Sequence, residues 1–190
     1  MGSHLEGFGQ GAGKLRGDVV FLFAVSFQAR FFGAPATRAR GNPEVTVGGK
    51  KLHICIIDGQ GGGIGAALIR RLKEVYQEEH DVIALGTNEV ATAQMLKARA
   101  NRGASGENAI VQTVLTADVI LGSLSIIVAN AMMGEVTPRI AEAITSASAL
   151  KILLPLPRKG VEIVGLIPEP LPHQVEKAIT GRLKEFLKHV

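Results

Sequence analysis

From Leu52 onward the apolar positions change period in a regular way, and each change marks an element. The β-branched run Leu52, Ile54, Cys55, Ile56 and Ile57 ends at Asp58 and predicts a strand over 52–58. Ile64, Leu68, Leu72, Val75 and Tyr76 then recur at helical spacing and predict a helix over 63–79. Its other face carries Arg70, Arg71, Lys73, Glu74, Glu78 and Glu79, the composition of a solvated surface. A second strand covers 81–86. Thr87 and Asn88 offer a helix N-cap, and 89–100 reads as a helix with Met95 and Leu96 inward.

Residues 101–106 read as a turn, and 107–115 as a short helix, because Ile110, Val111, Val114 and Leu115 form two i,i+4 pairs. A third strand follows at 118–122. Leu124, Ile127, Val128, Ala131 and Met132 repeat the helical spacing and predict a helix closed by Gly134. Thr137 caps and Pro138 opens the next helix, to about residue 146. A fourth strand spans 150–156 and a fifth 161–166. The four residues between them are too few for a parallel crossover, so the last strand is expected to be antiparallel, at an edge. Pro168, Pro170 and Pro172 lead into a final helix over 173–189. Strands alternating with helices predict an α/β, Rossmann-like layered fold: a mostly parallel sheet of about five strands flanked by helices.

Composition divides the chain at the same place. Of 21 basic and 17 acidic side chains, seven and three fall within residues 1–51, so 52–190 is formally neutral although the chain carries +4. Six of the seven phenylalanines also lie before residue 52. Residues 1–51 therefore read as an N-terminal extension, disordered or a non-native leader, ahead of a Rossmann-like domain over 52–190. The apolar run 19–27 is too short to span a bilayer. It has the length of a signal-peptide core, but Asp18 abuts it and Arg30 interrupts its far side. The extension has no recognisable nucleic-acid motif. The lone Cys55 lies inside the first strand, reads as a small buried hydrophobe and fits a reducing, cytoplasmic compartment.

The chemistry concentrates between the first strand and the first helix. Five glycines stand within seven residues, Gly59, Gly61, Gly62, Gly63 and Gly65, with Gln60 and Ile64 between them. A helix N-terminus leaves unpaired N–H groups and partial positive charge, and glycine lets a phosphate approach the backbone. The P-loop pattern fails, because Ala66 follows Gly65 and no lysine is present. The G-x-G-x-x-G fingerprint fits from Gly61 only with its looser alanine ending, at Ala66. Asp58 stands at the strand end facing the crevice. It can repel a pyrophosphate, accept a ribose hydroxyl, help hold a metal, or fix the turn through local bonding. The ribose-binding carboxylate expected ~20 residues after the loop is missing; Gly86, Thr87 and Asn88 stand there, with Glu89 next. Thr87 and Asn88 can bond a ribose or simply cap the helix. Glu107, Asn108, Asn130 and Glu135 fall where they can line the same crevice. His53, His80 and His173 lack metal-ligand spacing, and one cysteine makes no multi-cysteine zinc site.

The spacing of Gly59, Gly63 and Gly65 in DGQGGGIG is similar to the TGxxxGIG turn of short-chain dehydrogenases. Their catalytic tyrosine with a lysine four residues on is absent, since the only tyrosine, Tyr76, precedes His80 at that spacing. The resemblance covers the cofactor-type turn alone. The runs IIDGQGGGIG, ALGTNEVAT, GENAI, IIVANAMMGEVTPRIAEAI and KILLPLP resemble a small family of functionally uncharacterised bacterial proteins, over about 52–175. That resemblance implies a compact domain and no activity.

The expectation from these residues is a cytoplasmic domain that binds a nucleotide or dinucleotide, with NAD or NADP among the candidate cofactors. Asp58, Gly59, Gln60, Gly61, Gly62, Gly63, Ile64 and Gly65 would cradle phosphate, and Thr87 and Asn88 would line the sugar. Such a domain can be a ligand sensor acting through a homo-oligomer or partner contact. It can equally be a small enzyme on a nucleotide or phosphorylated metabolite, or a structural domain whose glycines serve only packing. No nucleic-acid or membrane partner is expected, and no catalytic pair can be picked out.

Overall fold

The computed structural model describes residues 50–157 and 160–190; the extension expected over 1–51 falls outside this range except for Lys50 and Lys51. Five strands form the sheet: β1 (His53–Asp58), β2 (Asp81–Gly86), β3 (Arg102–Ser105), β4 (Val119–Ser123) and β5 (Leu150–Leu154). The helices are α1 (Gly63–Tyr76), α2 (Glu89–Lys97), α3 (Glu107–Thr113) and α4 (Pro138–Ser146). A C-terminal helical rod runs through α5 (Leu171–Glu176), a π-helical stretch (Lys177–Leu183) and α6 (Lys184–Leu187).

All strands are parallel, in the order β3-β2-β1-β4-β5. Because side chains alternate across a strand, each central strand feeds two cores. Ile54 and Ile56 of β1, Val82 and Ala84 of β2, and Val119 and Leu121 of β4 pack with Leu68 and Leu72 of α1, Met95 of α2 and Ile179 of the C-terminal rod. Cys55, Ile57, Ile83, Leu85 and Ile120 face the other way, onto Ile110, Ile140 and Ile144. Continuous burial on both faces explains why these strands read as unbroken apolar runs. The chain moves outward from β1 to β3, then returns to the other side of β1 as β4. The order thus reverses between β1 and β4, which opens a crevice at the strands' C-terminal ends.

Three expectations are corrected. Residues 102–105, read as part of a turn, form edge strand β3, whose Arg-Gly-Ala-Ser sequence is mostly exposed and carries no apolar run. The last strand, β5, is parallel, and 161–166 is no antiparallel partner for it. Gly165 takes φ +82° and the Leu166 N–H bonds back to Ile163 O, so that segment turns instead of extending. Its apolar residues are not buried; Val164 is fully exposed.

The helix expected over 124–132 is only a 3-10 turn, Leu124–Ile127. Beyond it Asn130, Met132, Met133 and Gly134 adopt left-handed backbone, and Ala131 bridges Val136. Ala131 and Val136 are both buried, so the loop is anchored by its apolar feet instead of by a helical face. No helix among the described residues is long and apolar enough to cross a membrane.

Candidate functional site

Five candidate side chains come from three strand ends and the connections after them, at the C-terminal edge of the sheet. The turn after β1 is built around Gly62, which precedes α1 in left-handed conformation (φ 69°, ψ 16°). Its N–H bonds Gly59 O at 3.0 Å, closing the turn. No side chain within the turn caps α1. Asp58 does that work from the strand: its Oδ2 accepts the Gly65 N–H at 2.7 Å, and Oδ1 the Gly59 N–H at 2.9 Å. Of the roles open to Asp58, fixing the turn is the one its hydrogen bonds fulfil.

The five glycines separate into two sets. A Cβ on Gly62 would stand 2.6 Å from Ala91 O, one on Gly65 2.4 Å from Met95 Sδ, and one on Gly59 2.6 Å from Met132 Sδ. These three let the turn pack on α2 and on the 128–136 loop. Gly61 and Gly63 differ: among the described residues a Cβ on either meets nothing within 4 Å, and neither has positive φ. Among the described residues no protein acceptor takes the Gly61 or Gly63 N–H.

Thr87 and Asn88 follow β2 as expected. The Asn88 side chain accepts the Ala91 N–H at 2.8 Å, so it caps α2. Its amide NH₂ also donates to Glu135 Oε2 at 2.9 Å. The same oxygen accepts the Thr87 hydroxyl at 2.5 Å and the Gln60 N–H at 2.8 Å. Three donors thus converge on one carboxylate oxygen, delivered by the loop after β4. Burial pushes the Glu135 carboxyl up, but the Gln60, Thr87 and Asn88 donors outweigh it and hold the group below its usual range. Asp58 goes the other way. Burial raises it, the N–H groups of Gly65, Gly59 and Ile64 only partly offset that, and the Glu135 charge adds to the rise.

Ser123 ends β4. The register pairs Ile57 with Gly122, so Ser123 follows beside Asp58 at the point where strand order reverses. Strand alternation places both on the face of Ile56 and Leu121, the face covered by α1. Ser123 is buried, and among the described residues its hydroxyl has no hydrogen-bond partner. Next to it, an apolar cleft of about 330 Å³ lies between Leu124, Val128 and Pro155 and the segment carrying Val161, Ile163 and Leu166.

Other sequence candidates lie elsewhere. Glu107 accepts from Thr137 Oγ1 at 2.5 Å and pairs with Arg139 at 3.1 Å, tying α3 to α4; Thr137, Arg139 and the charge together lower its pKa against burial. Asn130, expected on an apolar helix face, is exposed in a left-handed turn. Tyr76 and His80 meet at the opposite end of the sheet, with tilted rings whose centroids are 5.6 Å apart. Among the described residues no three His, Cys, Asp or Glu side chains gather as metal ligands. Sequence reasoning placed Glu135 only loosely and overlooked Ser123. The one available signal for Ser123 was a polar residue closing the apolar strand 119–122.

The comparison with protein families matches residues 53–187 to a family described as a domain of unknown function, DUF3842. The chain belongs to that family. The match agrees with the resemblance to an uncharacterised family seen in the sequence and carries it on to the C-terminal rod. No curated protein and no solved structure matches the chain.

Proposed function

We propose that this crevice binds a nucleotide or dinucleotide in a Rossmann-like arrangement, with phosphate against the backbone of Gly61–Gly63. The observation that carries the reading is the pair of glycines the fold does not need. Gly61 and Gly63 meet no crowding and no left-handed backbone, yet both lack side chains beside the N-terminus of a 14-residue helix. A ligand drawn close to bare N–H groups and a helix dipole accounts for them. Ser123 is the second support: a buried hydroxyl without a partner among the described residues, at the switch point where ligands of open α/β sheets lie. The strand order β3-β2-β1-β4-β5 is the one expected of a doubly wound nucleotide site. The cleft of about 330 Å³ next to Ser123 has the size and apolar lining suited to the part of the ligand beyond its phosphates.

Asp58 limits where the phosphate can sit. Its carboxylate already holds the Gly59 and Gly65 N–H groups, so the anion belongs further out, over Gly61 and Gly63. The test is a thermal-shift screen of the full chain with NAD, NADP, ATP, GTP and sugar phosphates. A ligand at 100 times its Kd adds ~2.7 kcal/mol of stability. That corresponds to roughly 5–10 °C for a chain of this size. Gly63→Val, which the open backbone accommodates, should keep the far-UV circular dichroism and lose the shift. No shift with any of these compounds leaves the structural reading, in which the glycines serve packing alone.

A further inference from the structure

We propose that Glu135 makes this site select a nucleotide whose ribose hydroxyls are free and reject one phosphorylated at the 2′ position. The inference rests on the nucleotide reading above and names the ligand class within it. In doubly wound folds the sugar of the first nucleotide lies at the end of the second strand, where a carboxylate accepts its hydroxyls. Here β2 ends in Gly86, Thr87 and Asn88, none of them an acid, and Glu89 beyond them is exposed in the first turn of α2. The fold supplies one in space. Glu135 reaches that strand end from the far side of β1, across the crevice, and bonds Thr87 and Asn88 at 2.5 and 2.9 Å.

Its geometry suits an acceptor already set for use. Gln60, Thr87 and Asn88 all donate to Oε2, which fixes the carboxylate, while Oε1 has no donor among the described residues. The side chain remains partly open to solvent. Preorganised in this way, Oε1 can accept a ribose hydroxyl without first being reoriented. The loop behind it is held in one shape. Left-handed residues at Asn130, Met132, Met133 and Gly134 turn it back, and the Ala131–Val136 bridge clamps its base beside Glu135.

The same placement opposes a 2′-phosphate. That group would stand against an ionised Glu135, with Asp58 as a second carboxylate close by. Among the described residues no lysine or arginine bonds Glu135, Thr87 or Asn88 to offer a counter-charge. Like charges facing each other across a binding site act against the wrong ligand more than they favour the right one.

The experiment is calorimetric titration of the full chain with NAD, NADP, 5′-AMP and adenosine 2′,5′-bisphosphate. Wild type should bind the member of each pair that lacks the 2′-phosphate at least about tenfold more tightly. Glu135→Gln, nearly isosteric, should bring the two affinities within about threefold, chiefly by gaining affinity for the 2′-phosphorylated compounds. The wild-type ratio needs no variant, and Glu135→Asp keeps the charge if the glutamine form fails to fold. Equal wild-type affinities would overturn the role of Glu135 while leaving nucleotide binding intact. A preference that persists unchanged in Glu135→Gln would also overturn it. Binding of neither pair, with ATP and GTP also silent in the thermal screen, would remove the nucleotide reading itself.

Discussion

Gly59, Gly62 and Gly65 and the pair Gly61 and Gly63 share one turn, and they are glycine for different reasons. The first three are walled in: the space a Cβ would take is already held by Met132, Ala91 or Met95. The other two face open space. A glycine-rich motif therefore mixes two demands, close packing of α1 on its neighbours and an unobstructed backbone. Only the second points to a ligand. The contrast is a physical claim, and substitutions position by position can break it.

Gly62→Ala should have the largest effect. Left-handed backbone costs a residue with a Cβ about 1–2 kcal/mol. The new methyl would also meet the Ala91 carbonyl, a backbone group that cannot step aside, adding roughly 1–3 kcal/mol of overpacking. Urea denaturation should show a loss of about 2–5 kcal/mol. A loss under 1 kcal/mol would mean that α2 yields easily at Ala91, and the walled set would shrink to two.

Asp58→Asn comes next, because Asp58 is the acceptor that holds the walled part of the turn together. An asparagine accepts one N–H and presents its own NH₂ to the other, leaving a buried donor unpaired at about 1–3 kcal/mol. The pH dependence gives the sign. Asp58 is raised in the folded state by burial, with the N–H groups of Gly65, Gly59 and Ile64 opposing and Glu135 adding. A raised acid binds its proton more tightly folded than unfolded. Its stability contribution is therefore greatest near or below the unfolded pKa of about 3.9 and declines as pH rises through the folded value. The penalty of Asp58→Asn should thus be larger near pH 4 than at pH 7. The opposite trend would show that the N–H groups outweigh burial.

How much of this was legible beforehand follows the same division. Strands buried on both faces were readable, because Ile54 to Ile57 and Val82 to Leu85 have nowhere polar to turn. The N-caps at Asn88 and Thr137 were readable because capping is local chemistry; both side chains accept the N–H three residues on. Edge strand β3 was not, since Arg102 to Ser105 pair through their backbone and bury almost nothing. Residues 161–166 misled for the reverse reason: they are apolar but take no place in the sheet. At the site the turn was plain, whereas the convergence of Glu135 on Thr87 depends on a loop whose path no local pattern encodes. Nor could the glycines be sorted, because one-dimensional spacing does not reveal that Met95 stands behind Gly65 and nothing behind Gly63.

Gly65→Ala tests whether the wall is side chain or backbone. Its Cβ would lie 2.4 Å from Met95 Sδ and 3.0 Å from Asp58 Cβ. Methionine is adaptable, so the loss should be smaller than at Gly62, about 1–2 kcal/mol. Met95 is fully buried, and Met95→Ala alone should cost about 2–5 kcal/mol. The double variant should be less damaged than the sum, by roughly 0.5–3 kcal/mol, because the alanine methyl moves into space the sulfur vacates. Strict additivity would place the obstacle at Asp58 instead.

The smallest effect should come from the open pair, and its smallness is the point. Gly61→Ala and Gly63→Ala put a methyl where nothing stands within 4 Å, on backbone that an alanine adopts without strain. Each removes some freedom from the unfolded chain, so stability should hold or rise by about 0.4–1 kcal/mol. Gly63 is also the first residue of α1, where alanine outranks glycine as a helix former. A fold that would be steadied by alanine at both places, and has glycine at both, is giving up stability there. If either variant instead loses more than about 1 kcal/mol in urea, that position belongs with Gly62 and Gly65. If both do, the argument for a ligand at this turn would rest on Ser123 alone.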